Sequence, residues 1–348
     1  MSTITANTDT TAGPVRLTLA DAETLATDAL VANRTGQANA RSTARALVRA
    51  EADGQRGHGL SRLPSYAVQA RAGKVDGFAT PTVDRVAAAA LRVDAALGFA
   101  YPALELAIDT LAPLAGEAGV AVAAIHRSHH FGQAGAHVER LAERGLIGLA
   151  FSNAPKGIAF WGGSTPMMGT NPIAFAAPVG GAPPLVIDLA LSRAARGRIM
   201  AAHKAGEPIP EGWALDREGR PTTDPAAALE GSMVPIGEAK GAALVLVVEI
   251  LSAALTGSHF GFEASSFFDD KGGAPGIGQL LLAIDPDRLS GGGFADRMVT
   301  ILGALDDEPG ARRPGTRRLG NRARAQRDGV SLPVALDAEI RALTQARV

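Results

Sequence analysis

The stretch "VAVAAIHRSHHFGQAGAHVERLAERGLIGLAFSN", residues 120–153, decides the fold class. Residues 120–126 form a short apolar run of Val, Ala and Ile, which predicts a buried strand. Residues 133–145 place apolar side chains at helical spacing, and Gly145 offers a stop. Residues 146–153 return to a strand pattern. Downstream, "IAFAAP" and "PLVIDLA" predict two more strands, then a helix runs through "SRAARGRIMAAHKAG". Strands alternating with helices predict an α/β core with a substantially parallel sheet.

Upstream, residues 18–35 and 36–53 read as two helices, with Gly54 as the stop. A Gly-punctuated turn, "DGQRGHGLSRLPSY" (53–66), leads into a third helix ending near Gly73, and a helix opens at about residue 100. Residues 206–237, rich in Gly, Pro, Asp and Glu, predict a long surface loop. The apolar stretch 241–257 carries Glu249 and is short for a membrane span, so it predicts a buried helix. A strand over 278–285 and helices near 293–306 and 333–346 follow.

Composition narrows the function. Hydrophobic residues are 46% of the chain but aromatics only 4%, which suits helix–sheet packing on Ala, Leu and Val. The net charge of −1 offers no general attraction for nucleic acid or an acidic membrane. The chain has no cysteine, which excludes disulfides and thiolate metal sites and fits a cytoplasmic protein. The N-terminus lacks the basic start and apolar core of a signal peptide. No G-x-G-x-x-G follows a strand and no phosphate-binding G-x-x-x-x-G-K-[ST] occurs, so a bound nucleotide needs another scaffold.

Three places carry candidate chemistry. In "RGHGLSR", His58 and Arg62 lie four apart, the spacing of one helical turn. An imidazole moves protons near neutral pH, and a guanidinium grips a carboxylate with paired hydrogen bonds. Gly57 and Gly59 would leave the backbone open to a ligand. In the histidine cluster, His129 and His130 follow a strand's carboxyl end, where open α/β sheets hold ligands. His126, His129 and His130 also permit a metal-dependent lyase or hydrolase. Further on, Thr170 and Asn171 offer a hydroxyl and an amide, and Asp188 ends a strand. Arg193, Arg196 and Arg198 crowd a helix start, where an anion would offset them.

Seven blocks in order, "GHGLSRLPSY", "SHHFGQAG", "GTNPIAFAAP", "IDLALS", "KGAALVLVVEILSAALTG", "GQLLLAIDPD" and "PGTRR", resemble the malate/L-lactate dehydrogenase-type oxidoreductases of the second kind. The resemblance implies an atypical, non-Rossmann cofactor domain with a mixed seven-stranded sheet, beside a mostly helical domain. It lays out a disordered lead-in (1–17), a helical substrate-side domain (18–115), the cofactor domain (116–290) and a returning C-terminal segment (291–348). It implies a homodimer, NAD or NADP, and hydride transfer at C2 of a small anionic 2-hydroxy or 2-oxo acid, or of a cyclic 2-imino acid. By position, His58 is the acid/base group and Arg62 the carboxylate ligand. His130 lines the cofactor and substrate pocket, and His130 or Lys156 steadies the alkoxide. Thr170, Arg196 and Gly197 match substrate contacts. Asp188, Leu189, Ala190, Lys240, Gly315, Thr316, Arg317 and Arg318 match cofactor contacts, and Arg317 and Arg318 suit a 2′-phosphate.

The chain also departs from the pattern. The cyclic-imine reductases resemble it but carry Ser where Gly57 stands and Asp where Arg198 stands, so a Ser-His-Asp relay is absent. The loop "SNAPKGIAFWGG" resembles the hydroxyacid-oxidising members. Lys156, Arg196 and Arg198 then suit a substrate with a second anionic group, such as malate or 3-sulfolactate.

Overall fold

The computed structural model describes residues 13–346. The chain opens with three helices. Thr18 accepts a hydrogen bond from the Asp21 backbone N–H and so caps α1 (Leu19–Val31). α2 (Gln37–Ala52) follows, and α3 (Leu63–Arg71) begins with Pro64 in its first turn, where a missing N–H costs nothing. The expected lead-in falls largely outside the described residues, but Val15–Leu17 is a strand, antiparallel to Val330–Leu332. The two ends of the chain therefore close on each other, and Ala22, Leu30, Leu47, Leu63, Leu332 and Ile340 share one core.

A seven-stranded sheet forms the centre. Its strands are β1 (Thr82–Ala87), β2 (Ala90–Asp94), β3 (Val120–Ser128), β4 (Ile147–Ser152), β5 (Ile173–Val179), β6 (Ala182–Leu189) and β7 (Ile277–Ile284). The order is β1-β2-β3-β7-β4-β5-β6. Only β2 and β3 pair in parallel. The expectation of a substantially parallel sheet is thus corrected, and the mixed seven-stranded sheet holds. β3 and β4 do run the same way, but β7 inserts between them, antiparallel to both. Local alternation along the chain reveals each crossover; it carries no signal of a strand arriving from more than a hundred residues downstream.

Side chains on the sheet explain how helices lie so close to it. α4 (Ala100–Ala118) and α5 (Ala134–Ala142) pack on a face lined by Ala121, Ala123, Ala150, Ala174 and Ala283, all buried. Leu104, Ile108, Leu111, Val138 and Leu141 fill the space above these methyl groups. Gly148 takes the principle to its limit, since a Cβ there would lie 3.0 Å from Leu141. Because α4 belongs to this core, we propose that the sheet unit begins near residue 82 and not at 116.

The segment 206–237 corrects another expectation. It holds a three-stranded patch (Ala214–Leu215, Pro221–Thr222, Ser232–Met233) and a helix, Pro225–Glu230. Ile209, Ala214, Ala228 and Met233 are buried there against Ile199 of α6 (Arg196–Ala205) and Val245 of α7 (Glu238–Glu249). Four of its apolar residues were enough for a core, although Gly and Pro hid them. α7 continues as a wider turn, Ile250–Ala254. The stretch expected as a buried helix instead exposes Leu244, Leu246, Val247, Ile250 and Leu255 in this single chain. α8 (Phe294–Asp307), α9 (Thr316–Asp328) and α10 (Val334–Thr344) complete the fold. No helix among the described residues is long and apolar enough to cross a membrane.

Two buried polar clusters lock these parts together. Glu249 accepts from Asn153 Nδ2 at 3.2 Å, Asn171 Nδ2 at 2.7 Å and the Gly261 N–H at 2.6 Å, so one carboxylate ties three loops. In the other cluster, Arg318 and Arg322 of α9 and Arg49 of α2 hold Glu139 of α5, and both α9 arginines also reach Asp53. Burial opposes the Glu139 charge, but hydrogen bonds from Arg322 and Arg318 outweigh it and hold the carboxyl down at about 2.

Candidate active site

Strand direction gathers the site at one edge of the sheet. β3, β4 and β6 end there, and the antiparallel β5 and β7 begin there. The loops leaving this edge meet the turn before α3 and enclose a cleft of about 480 Å³. That volume suits a small ligand with part of a cofactor. His58, Arg62, His130, Lys156, Thr170, Asp188, Ala190, Arg196 and Gly197 all line it. Nine residues singled out in the sequence therefore converge.

His58 and Arg62 are presented by two consecutive 3₁₀ turns, Arg56–His58 and Leu60–Arg62, and not by one α-helical turn. Gly59 serves packing: a Cβ there would lie 2.3 Å from the Glu51 carboxylate, while Gly57 has open space. The Arg62 Nε donates to the Gly57 carbonyl at 2.7 Å, and the guanidinium lies 4.5 Å over the Phe268 ring. Its Nη1 is buried with no protein partner. A fixed, stacked guanidinium with a spare donor facing a cleft is equipped to bind a carboxylate.

His130 backs His58. The rings stack at 5.2 Å, and His58 Nδ1 lies 3.2 Å from His130 Nε2. The other His130 nitrogen, Nδ1, lies 2.6 Å from the Tyr66 hydroxyl. Both nitrogens are thus engaged, which corrects the expectation that His130 could donate to an alkoxide. Burial lowers the His58 pKa to about 4, with Arg62 adding to the effect, so the imidazole is neutral at pH 7 and able to accept a proton.

The metal arrangement does not form. His129 Nε2 binds Gln69 Oε1 at 2.9 Å, His130 binds His58 and Tyr66, and His126 lies beside Asp94 on the neighbouring strand. Among the described residues no group of three or more His, Asp or Glu side chains could hold a metal ion.

Some expected residues stand elsewhere. Arg198 lies 4.3 Å over Trp213 and does not line the cleft, nor does Arg193, which packs against Gly212. Arg196 does line it, and its Nη2 donates to the Leu229 carbonyl. Leu189 is exposed just beyond the lining residues, and Lys240 is exposed in the first turn of α7. Gly315 and Thr316 open α9, Arg317 borders a separate cavity with Arg56 and Arg324, and Arg318 is committed to Glu139. Sequence reasoning missed Gln55, Phe267 and Phe268, which also line the cleft. It missed Tyr66 and Tyr101 as well, although the chain has only two tyrosines and aromatics are scarce.

A mixed seven-stranded sheet whose edge carries a neutral histidine beside a half-buried guanidinium sets this scaffold apart from the parallel dinucleotide fold. The chain belongs to the malate/L-lactate dehydrogenase family, whose model matches residues 17–341. It is 55% identical to the (2R)-3-sulfolactate dehydrogenase (NADP(+)) of Chromohalobacter salexigens, over 95% of this chain and 99% of that protein. It is 40% identical to the Delta(1)-pyrroline-2-carboxylate reductase of Ancylobacter novellus, over 95% and 98% of the two chains. Among solved structures, delta1-piperideine-2-carboxylate reductase from Pseudomonas syringae superposes with a TM-score of 0.90 at 38% identity, covering 94% of this chain and 99% of that one. Like its relatives, the chain is a hydride-transfer oxidoreductase.

Proposed function

We propose that the protein is an NADP-dependent dehydrogenase of 2-hydroxy acids that carry a second anionic group, 3-sulfolactate being the best fit. The observation that carries this reading is the charge of the cleft: Arg62, Lys156 and Arg196 line it around two neutral histidines, His58 and His130, with Asp188 the one carboxylate among the lining residues. A single carboxylate needs one such cation. The absence of the Ser and Asp partners at Gly57 and Arg198 points the same way, as does the name of the 55% identical relative.

In this reading Arg62 holds the substrate carboxylate, and Lys156 with Arg196 holds the sulfonate. Thr170 and Gly197 shape the pocket. His58 Nε2, which has no partner among the described residues, takes the hydroxyl proton. Lys156, shared between the sulfonate and the reacting oxygen, steadies charge growing on that oxygen in this reading, a strong effect where water is excluded. The residues fit a nicotinamide dinucleotide: Arg318 keeps Nε and Nη2 buried without partners near Gly315, and Asp188 and Ala190 line the cleft from the β6 end. When bound, that group supplies the hydride acceptor. Arg317, free of Glu139, suits a 2′-phosphate.

The test is a panel of 3-sulfolactate, malate and lactate with NAD⁺ and NADP⁺, beside pyrroline- and piperideine-2-carboxylate with the reduced forms, followed by reduced-nicotinamide absorbance. Sulfolactate with NADP⁺ should give the highest kcat/KM. A higher value for either cyclic imine would replace this reading with an imine reductase. Arg62→Ala should raise KM for every carboxylate substrate by roughly 10- to 100-fold, the scale of a charged hydrogen-bonded pair. An unchanged KM in that variant removes Arg62 from carboxylate binding.

We also propose a homodimer. A helix that is apolar all round is normally covered, yet α7 and its continuation leave Leu244, Val247, Ile250 and Leu255 exposed. Light scattering should give twice the mass of the 35.5 kDa chain. A Val247→Glu, Ile250→Glu double variant should give the monomer; a dimer that survives it uses another face.

A further inference from the structure

We propose that Tyr66 and Tyr101 extend the His58–His130 pair into a proton wire, which carries the substrate's proton away from the cleft towards a second cavity between α2, α4 and α5. The proposal rests on the dehydrogenase reading. Four groups stand in hydrogen-bonding sequence: His58 Nδ1 to His130 Nε2 at 3.2 Å, His130 Nδ1 to Tyr66 Oη at 2.6 Å, and Tyr66 Oη to Tyr101 Oη at 3.1 Å. Tyr66 is fully buried, and Tyr101 is 3% exposed. Tyr101 nevertheless borders a cavity of about 450 Å³, lined also by Arg45, Glu105, Asp109 and Arg140. Asp109 and Arg45 are well exposed, so this cavity is open to water. Gly132 permits the arrangement. Its φ is +69°, and a Cβ there would lie 2.6 Å from the Tyr101 hydroxyl.

The chemistry requires such an outlet. Oxidation of a secondary alcohol sends two electrons and one proton, as hydride, to the oxidised nicotinamide. The hydroxyl proton remains, in a cleft filled by substrate and cofactor. His58 Nε2 takes it, and the Nδ1 proton passes to His130 Nε2. The His130 Nδ1 proton passes to Tyr66 Oη, the Tyr66 proton to Tyr101 Oη, and the Tyr101 proton to water. One proton enters and one leaves, and no charge stays in the wire. Once product leaves, a proton re-entering at Tyr101 runs the same hops in reverse and one exits from His58 Nε2 into the emptied cleft, so the wire serves as the outlet while substrate and cofactor fill the cleft. Run in that sense with substrate bound, they serve reduction.

Burial supports a wire of neutral links. It pushes the Tyr66 hydroxyl up to about 12 and Tyr101 well above its ordinary value, so both keep their protons. Arg62 is the cation facing both hydroxyls; His129 and His137, neutral by burial, face the two rings.

Tyr66→Phe and Tyr101→Phe each cut the wire while preserving ring volume. In each, kcat for alcohol oxidation should fall about 10-fold, below the full loss of a general base, with KM unchanged. The solvent deuterium isotope effect on kcat should grow, and small buffer bases should accelerate the variants but not the wild type. A merely structural role would lower Tm and leave isotope and buffer effects alone. Wild-type isotope and buffer behaviour in both folded variants overturns the wire. If Tyr66→Phe fails to fold, Tyr101→Phe decides alone. An activity-independent arm uses proton NMR: the short His130–Tyr66 bond should give a downfield imidazole proton that Tyr66→Phe abolishes and Tyr101→Phe moves. Absence of that resonance in the wild type overturns the wire whatever the substrate. Lack of turnover with every panel substrate overturns only the functional reading.

Discussion

Acidification from pH 7 to pH 5 should strip the protein of about 4 kcal/mol of stability, a large share of what keeps many domains folded. The cause is a set of histidines folded into places that reject charge. Burial lowers His129 to about 3, His137 to about 4 and His130 well below its ordinary value, with Arg62 adding to the effect at His129 and His130. In the unfolded chain each titrates near 6.5. The folded pKa is depressed, so the unfolded state binds more protons below 6.5. Stability is therefore complete above that pH and declines as pH falls through the window down to the folded values. At pH 5 His129 and His137 each cost about 2 kcal/mol, and His130 acts in the same direction. Glu51 and Asp188, raised by burial, act in the opposite sense. Urea unfolding at pH 7, 6 and 5 measures the effect. A midpoint constant across that range would mean these histidines are protonated in the fold.

Replacing His58 with Ala should lower kcat by roughly 10²–10⁴-fold, the usual scale for one general acid–base group. The proposed role stands on three features: the ring lines the cleft, its Nδ1 is held by His130, and its depressed pKa keeps it neutral. The same depression fixes a pH signature. In alcohol oxidation the acid limb of kcat/KM should fall near pH 4 rather than 6.5, as far as the acid stability of the fold allows, since the free enzyme needs the unprotonated ring. Steady-state rates of the folded variant, checked by circular dichroism, test it. Wild-type turnover in His58→Ala would move the base to another residue.

Much of the site was legible because its chemistry is local. Strand polarity put His130 at a strand's carboxyl end, but the resemblance of the seven blocks, and not the four-residue spacing, put His58 and Arg62 in the same pocket; that spacing belongs to two 3₁₀ turns. Long-range facts were not legible. β7 enters between β3 and β4 from beyond residue 270, and no local pattern records that. The β1–β2 hairpin escaped because its outer strand is largely exposed and lacks clean alternation. Arg318 matched a cofactor motif, but its partners, Glu139 of α5 and Asp53 just after α2, lie far from it in sequence, and pairing with them is a tertiary matter. Tyr66 sat inside a quoted block; only the fold brings Tyr101 to it.

Glu249 has a bearing on any attempt to retarget this scaffold. Its carboxylate joins the loop carrying Lys156, the loop carrying Thr170 and the segment leading to Phe267 and Phe268. Specificity loops of this enzyme are consequently not interchangeable modules. Grafting one from a relative without its matching amide would strand the other two, so substrate scope here should evolve by coordinated changes around a shared anchor.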